Sequence, residues 1–301
     1  MKAYNIEVLP QSVSEEGPRG GGWCFGLPPG IVEEQWPQDA NTGYPLQHGF
    51  TLVLPPEYRG FGADIVALSF FGSAHDEDEG RVAEIAALIA DPDASEPSDG
   101  DLYPFWMSER LRHPRLHRLA DFLGRSHAVI LLTEAEFNAP FCQPPRLRPN
   151  AYRDRIRRPE WLARGTAAVY LDDQTENYGL LQMLGDTEHA DLAYNRALDI
   201  TPRGEDPNAG IAPRDEWAAA ETGYQAFYYW EGDEVEEENY REHVWAADHL
   251  PDHIGGSMRP AQNIPDISPY YIEFEEYLGG FNFGGGNAWL DLQTLTFDWA
   301  Q

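Results

Sequence analysis

One order of residues occurs twice in this chain, once towards each end, and it limits the folds open to it. The later copy reads His253-Ile254-Gly255-Gly256, Pro260-Ala261-Gln262, an alternating segment over 270–278, Gly284-Gly285-Gly286, and a closing segment over 287–299. A fainter copy near the start has Gly20-Gly21-Gly22, Leu27-Pro28-Pro29, Gln38, and apolar segments at 50–54 and 65–71. Each is a double or triple glycine, then proline and glutamine, then two strand-like segments. Glycine takes turn conformations closed to other residues, and proline cannot donate to a β ladder. Such a unit therefore predicts short strands set between irregular loops. Its double occurrence points to an old duplication folded into one body rather than two independent domains.

With 301 residues, 42% hydrophobic and 13% aromatic, the chain can build a full core without staples. Its net charge of −30 is uneven: residues 1–108 carry 4 basic and 18 acidic side chains, 109–164 carry 12 and 6, and 165–301 carry 5 and 27. Two acidic lobes thus flank an arginine-rich middle, and its arginines are expected to pair with the lobes. A field of that sign repels nucleic acid and anionic membranes and attracts a basic protein or a cation. Acidity that serves only solubility is the alternative. Cys24 and Cys142 lie far apart in no ligand pattern and read as buried small hydrophobes. The first ten residues lack the pattern of a signal peptide, and no apolar run approaches the ~18–20 residues of a membrane span. The expectation is a soluble, cytoplasmic protein.

Periodicity predicts strands over 3–9, 50–54, 65–71, 127–133, 166–171 and 225–230, and a strand pair at the end. A helix is expected over 81–90, where Val82, Ile85, Ala86 and Ile89 share one face. A second is expected from Pro114, with Leu116, Leu119 and Leu123 inward and a stop near Gly124. A third is expected over 187–200, on a stripe of Ala190, Ala193, Tyr194 and Ala197. Trp23, Phe25 and Trp36, embedded in Gly/Pro-rich chain, should pin an irregular stretch onto a sheet. In the final strand pair, Tyr270, Ile272 and Phe274 point one way. Tyr271, Glu273, Glu275 and Tyr277 point the other, on a face that reads as solvent-exposed or interfacial.

The search for chemistry returns no convergent set. His243, His249 and His253 lie close in sequence among carboxylates, but Pro251 interrupts any helix aligning the last two, and they read as loop histidines on a polar surface. His113 and His117 are discounted because Pro114 begins a helix between them. The acidic stretches 76–80 and 91–101 lack the glycine and glutamate positions of an EF-hand loop. There is no Gly-x-Ser-x-Gly elbow, phosphate-cradling loop or dinucleotide fingerprint. Asp172-Asp173, after a strand, reads as turn chemistry. No catalytic residue, cofactor or metal is assigned.

Gly20-Gly21-Gly22, Leu27-Pro28, Trp36-Pro37 and Gly43-Tyr44-Pro45-Leu46, with the strands after them, resemble the first half of YwqG-like proteins, a bacterial family defined as a domain of unknown function. His253-Ile254-Gly255-Gly256, Gln262 and the strands flanking Gly284-Gly285-Gly286 resemble its second half. The chain departs from the pattern where Phe283-Gly284-Gly285-Gly286 stands in place of an aspartate-bearing turn. It departs again at Gln47-His48-Gly49, where the family runs an apolar strand into an Ala-Gln pair. The resemblance implies an α+β fold of internally duplicated antiparallel β-sheets with flanking helices in a single compact body. The pseudo-repeats would span about 1–108 and 225–301, around a middle of 109–224, with no established catalytic residues. Members and relatives of such families are similar to immunity proteins found beside bacterial toxins, including effectors of type VI secretion.

The expectation is a non-enzymatic acidic immunity or inhibitor protein that binds and neutralises a basic toxin, a nuclease effector. Its partner-binding residues would be Asp76, Glu77, Asp78 and Glu79 in the first lobe, and Asp233, Glu234, Glu236, Glu237 and Glu238 in the second. Aromatic anchors would come from Tyr228, Tyr229 and Trp230 and from Tyr271 and Tyr277. The alternatives are a calcium-dependent or hydrolytic enzyme with an illegible site, and a housekeeping interaction module.

Overall fold

The computed structural model describes residues 1–74, 80–170, 192–214, 223–231 and 240–301. Its strands and helices in chain order are β1 (Tyr4–Ser12), β2 (Gly22–Cys24), β3 (Gln47–Val53), β4 (Ile65–Gly72), α1 (Ala83–Ala90), α2 (Tyr103–Leu111), β5 (Leu116–Ala120), β6 (Ser126–Thr133), α3 (Glu134–Phe137) and α4 (Trp161–Arg164). They continue with β7 (Val169–Tyr170), β8 (Leu192–Ala193), β9 (Arg196–Pro202), β10 (Tyr228–Trp230), β11 (Tyr240–Glu242), β12 (His253–Ile254), β13 (Tyr271–Glu275), β14 (Asn287–Asp291) and β15 (Phe297–Ala300). The architecture is mostly antiparallel sheet with few, short helices. Among the described residues, no helix is long and apolar enough to cross a membrane.

The chain forms two compact units that interleave in sequence. Unit 1 comprises Met1–Glu7, Leu198–Glu276 and Phe283–Gln301; unit 2 comprises Val8–Ala197 and Tyr277–Asn282. The neighbouring strands β1 and β9 each contribute residues to both.

In unit 2 the strand order continues from β9 through β2, β3, β4 and β6 to the edge strand β5. Strands β4 and β6 are mostly apolar and buried, and their register sets Leu68 opposite Leu131 and Phe70 opposite Val129. A strand covered on both faces needs such an apolar run. Trp23, Trp36, Phe71, Ile130, Leu132 and Trp161 lie in its core. The two tryptophans tie the irregular chain down as expected, Trp23 Nε1 donating to Leu27 O (2.9 Å) and Trp36 Nε1 to Leu46 O (2.8 Å). Both cysteines are buried and free. Helix α1 lies where the spacing placed it, with Val82, Ile85 and Ile89 packed with Phe105 of α2.

Two expected helices are replaced. The proline-led helix is α2, with Pro104 in its first turn, and the segment after Pro114 is strand β5, paired with β6 from Leu116↔Ile130 to Ala120↔Ser126. The expected helix over 187–200 gives way, within the described residues, to β8 and β9. Asn195 between them has φ 48°, a left-handed conformation that ends a right-handed helix. Arg196 then pairs with Cys24 of β2 and donates from Nε to Leu9 O (2.7 Å), and this long-range pairing overrides local propensity. The arginines of the middle segment pair mainly within it: Arg112 and Arg118 with Glu109, Arg115 with Glu136, and Arg157 with Glu160. Arg155 reaches outside, to Glu84 of the first lobe (3.3 Å).

In unit 1 the order runs β15, β14, β13, β12, β1, β9. Phe274, Phe283, Phe297 and Trp299 form an aromatic cluster with ring centroids 5.8–6.3 Å apart. Strand β13 corrects the expected exposed face in part: Tyr271 and Glu273 are fully buried with Ile272 and Phe274, while Glu275 is exposed. A separate two-stranded ladder joins β10 to β11.

Candidate functional site

The chemistry-bearing residues of unit 1 gather where β12 meets β13. The antiparallel register sets His253 opposite Glu273. Beyond β12 the chain turns at once through Gly255 (φ 60°) and Gly256 (φ 85°). A Cβ on Gly256 would fall 2.2 Å from Asp206 Oδ2, so only glycine admits that carboxylate. Asp206 accepts from Ser257 N (3.0 Å) and Ser257 Oγ (2.9 Å) and pairs with the buried Arg203 (3.1 Å). Arg203 spends its remaining donors on Asn5 Oδ1, Ser257 O and Leu250 O. His249 and His253, expected on a polar surface, are buried here: both His253 nitrogens have partners, and His249 Nε2 lies 3.2 Å from Glu205 O.

The two buried carboxylates meet opposite fates. Burial alone would raise Asp206, but the Ser257 N–H and Arg203 outweigh it and hold this carboxyl below its ordinary range. Burial dominates at Glu273 and pushes it up to about 8, and the same desolvation drives His253 well below an ordinary histidine. Geometry fixes the proton count. His253 Nδ1 lies 2.9 Å from Gly255 O, which only accepts, so Nδ1 carries a hydrogen. His253 Nε2 lies 2.5 Å from Glu273 Oε2, and a contact that short needs a proton between the two atoms. The pair thus holds one shared proton as a neutral acid donating to a neutral imidazole. Glu273 also accepts from Arg259 N (2.9 Å) and Asn287 Nδ2.

Arg259 links this pair to the β10–β11 ladder. Its guanidinium sits over the Phe227 ring (5.1 Å), donates to Tyr228 Oη (3.4 Å) and pairs with Glu242 (2.9 Å). Tyr228 and Glu242 are cross-strand partners, as are Tyr229 and Arg241, and alternation puts the two pairs on opposite faces. The Tyr229 face carries a run of rings: Tyr229 to His243 at 4.7 Å, His243 stacked on Trp245 at 5.0 Å, and Trp245 to His249 at 5.4 Å. The run grades from exposed to buried, with Tyr229 41% and His249 6% exposed. Val244, beside His243, is 94% exposed.

Of the expected partner-binding residues, Tyr228 lies at this ladder with its hydroxyl engaged by Arg259. The backbone of Trp230 pairs with Tyr240. Tyr271 is fully buried and donates its hydroxyl to Gly256 O (2.8 Å), which withdraws it from any surface role. Tyr277 belongs to unit 2, where its ring meets Phe25 edge-on at 5.8 Å. Asp76, Glu77, Asp78, Glu79, Asp233, Glu234, Glu236, Glu237 and Glu238 lie outside the described residues, as do Asp172 and Asp173. The residues that sequence reasoning missed are His243 and Trp245 as a ring stack and Arg259 as the link. The two-residue spacing of Arg241, His243 and Trp245 was the available signal.

Elsewhere in unit 1 an open groove of about 480 Å³ is lined by Arg214, Asp266, Ile267, Ser268, Asp291 and Thr296 among others. Its charges are engaged: Arg214 pairs with Asp266 (2.7 Å), and Asp291 accepts from Ser268 Oγ (2.8 Å) and Gln293 N (2.7 Å). Among the described residues, no group of three or more His, Cys, Asp or Glu side chains is placed to hold a metal ion. Compared with family models, curated proteins and solved structures, the chain matches none.

Proposed function

We propose that this chain is a non-enzymatic acidic immunity protein that binds a basic protein toxin, a nuclease effector, and blocks its phosphate-gripping surface. The observation that carries this reading is the Tyr229–His243–Trp245 face of the β10–β11 ladder, whose two strands are joined in sequence by a connection carrying Asp233, Glu234, Glu236, Glu237 and Glu238. A partly exposed ring face and an acid-rich sequence favour a cationic protein surface, since rings supply contact area and complementary charge speeds encounter. The buried His253–Glu273 pair supports a non-catalytic role, because the Gly255 carbonyl, the Arg259 N–H and Asn287 already engage its polar atoms. Asp76, Glu77, Asp78 and Glu79 belong to the same proposed surface chemistry.

We extend the proposal to descent from a duplicated YwqG-like ancestor. Support comes from the antiparallel strand pairs that follow the glycines, β3-β4 after Gly20-Gly21-Gly22 and β13-β14 after Gly255-Gly256. The test is capture of the tagged protein from its own host, with mass spectrometry of what remains bound. One basic protein in equimolar amount, whose nuclease activity is lost in the complex, is the expected result. A partnerless chain after gentle capture would overturn it.

A further inference from the structure

We infer that the Tyr229–His243–Trp245 face is an arginine-recognition surface, which takes arginine side chains of a polypeptide partner in preference to lysines. The inference rests on the reading that the partner is a basic protein and names the chemistry by which it is read.

Three observations carry it. The rings form a stepped platform, 4.7 Å and then 5.0 Å apart, with Tyr229 at its exposed end. A planar guanidinium stacks on such rings and still points its N–H groups sideways at carboxylates, whereas an ammonium is a compact, strongly hydrated charge. Next, a carboxylate stands at the rim: Glu231 is 66% exposed while engaging Arg241 (3.1 Å), so Arg241 reaches the face already compensated.

The third observation is an arginine held in this manner by the chain itself. Arg259 lies over Phe227, a ring that also meets Trp245 and His249 at 6.3 Å, donates to Tyr228 Oη and pairs with Glu242. Ring, hydroxyl and carboxylate surround one guanidinium there. The Tyr229 face offers an exposed tyrosine ring, with Glu231, paired with Arg241, at its rim.

The test titrates the full chain with octa-arginine and octa-lysine, two peptides of equal charge, by calorimetry at physiological salt. Octa-arginine should bind about three- to fivefold more tightly, the increment of an exposed cation–π contact. Tyr229→Phe should keep that preference and Tyr229→Leu should remove it, with melting temperatures measured alongside. Val244→Arg, which leaves every ring in place and sets a like charge beside His243, should weaken octa-arginine binding. Equal affinity for the two peptides, or a preference that survives both Tyr229→Leu and Val244→Arg, overturns the arginine surface while leaving a basic partner in place. If neither peptide binds the arginine surface is also overturned, and if host capture yields no basic protein as well, both readings fail together.

Discussion

His253 and Glu273 form a buried pair whose single proton makes its stability depend on pH in two directions. Glu273 is raised to about 8 from an ordinary 4.5, so its contribution is full below about 4.5 and lost as pH rises through about 8. His253 is depressed from 6.5, so its contribution is present above 6.5 and lost as pH falls towards the folded value. Between about 4.5 and 6.5 the folded and unfolded pair bind the same number of protons, and the dependence is flat. Above 6.5 the unfolded chain binds one fewer, and stability should decline by about 2 kcal/mol up to pH 8. Arg203, Arg259, Asp206, His249, Asp252 and Glu275 also act on the pair or titrate near it, so a difference between variants is the clean measurement. Glu273→Gln keeps an amide that can donate to Nε2 without ionising. Urea denaturation from pH 6 to 8.5 should show the decline in the parent reduced in this variant; equal slopes would contradict the shared proton. His253→Ala leaves the carboxyl buried without its partner and should cost about 3 kcal/mol at pH 6, read from the same curves.

Glycine turns separate the elements, and two of them make a contrast. Gly256 and Gly285 share φ 85°, but a Cβ on Gly256 meets Asp206 Oδ2 at 2.2 Å and Ala3 Cβ at 2.6 Å, while one on Gly285 meets nothing within 4 Å. Gly285→Ala should therefore cost only the left-handed strain of about 1–2 kcal/mol. Gly256→Ala should cost roughly 3–5 kcal/mol, because strain adds to overpacking beside a buried ion pair. Chemical denaturation of both variants checks the difference. At this scale the sequence was legible where one period dominated. The apolar runs of β4 and β6 and the face of α1 could be read directly, because a strand buried on both sides and a one-sided helix leave distinct patterns. β5 was not, since leucines at 116, 119 and 123 also fit a helical stripe, and its pairing to β6 decided the matter. β9 was hidden because an alanine-rich stripe suits a helix until Asn195 turns left-handed. The His253–Glu273 pair was hidden for a related reason: alternation placed Glu273 on a polar-looking face, and burial there depends on His253, Asn287 and the Arg259 N–H arriving from distant sequence.

Across the whole molecule the dominant quantity is charge, with 51 acidic against 21 basic residues. Arginines of the basic middle segment pair with its own Glu109, Glu136 and Glu160, and the segment's excess of 12 basic over 6 acidic side chains leaves the chain as a whole strongly acidic. Reversing Glu234, Glu236, Glu237 and Glu238 to lysine together should slow association with a basic partner by about tenfold or more at low salt, with little change in dissociation. The gap should narrow as salt screens both forms, and stopped-flow mixing across ionic strengths checks it. The acid run was legible in sequence from the outset. The ring face was not, because Tyr229 and His243 meet only when β10 pairs with β11. The most direct measurement is a titration, with the purified chain, of the nuclease activity of a basic protein captured with it from its host. The account predicts complete loss of activity at a one-to-one ratio, relieved by high salt; activity that persists at any excess of the chain would contradict it.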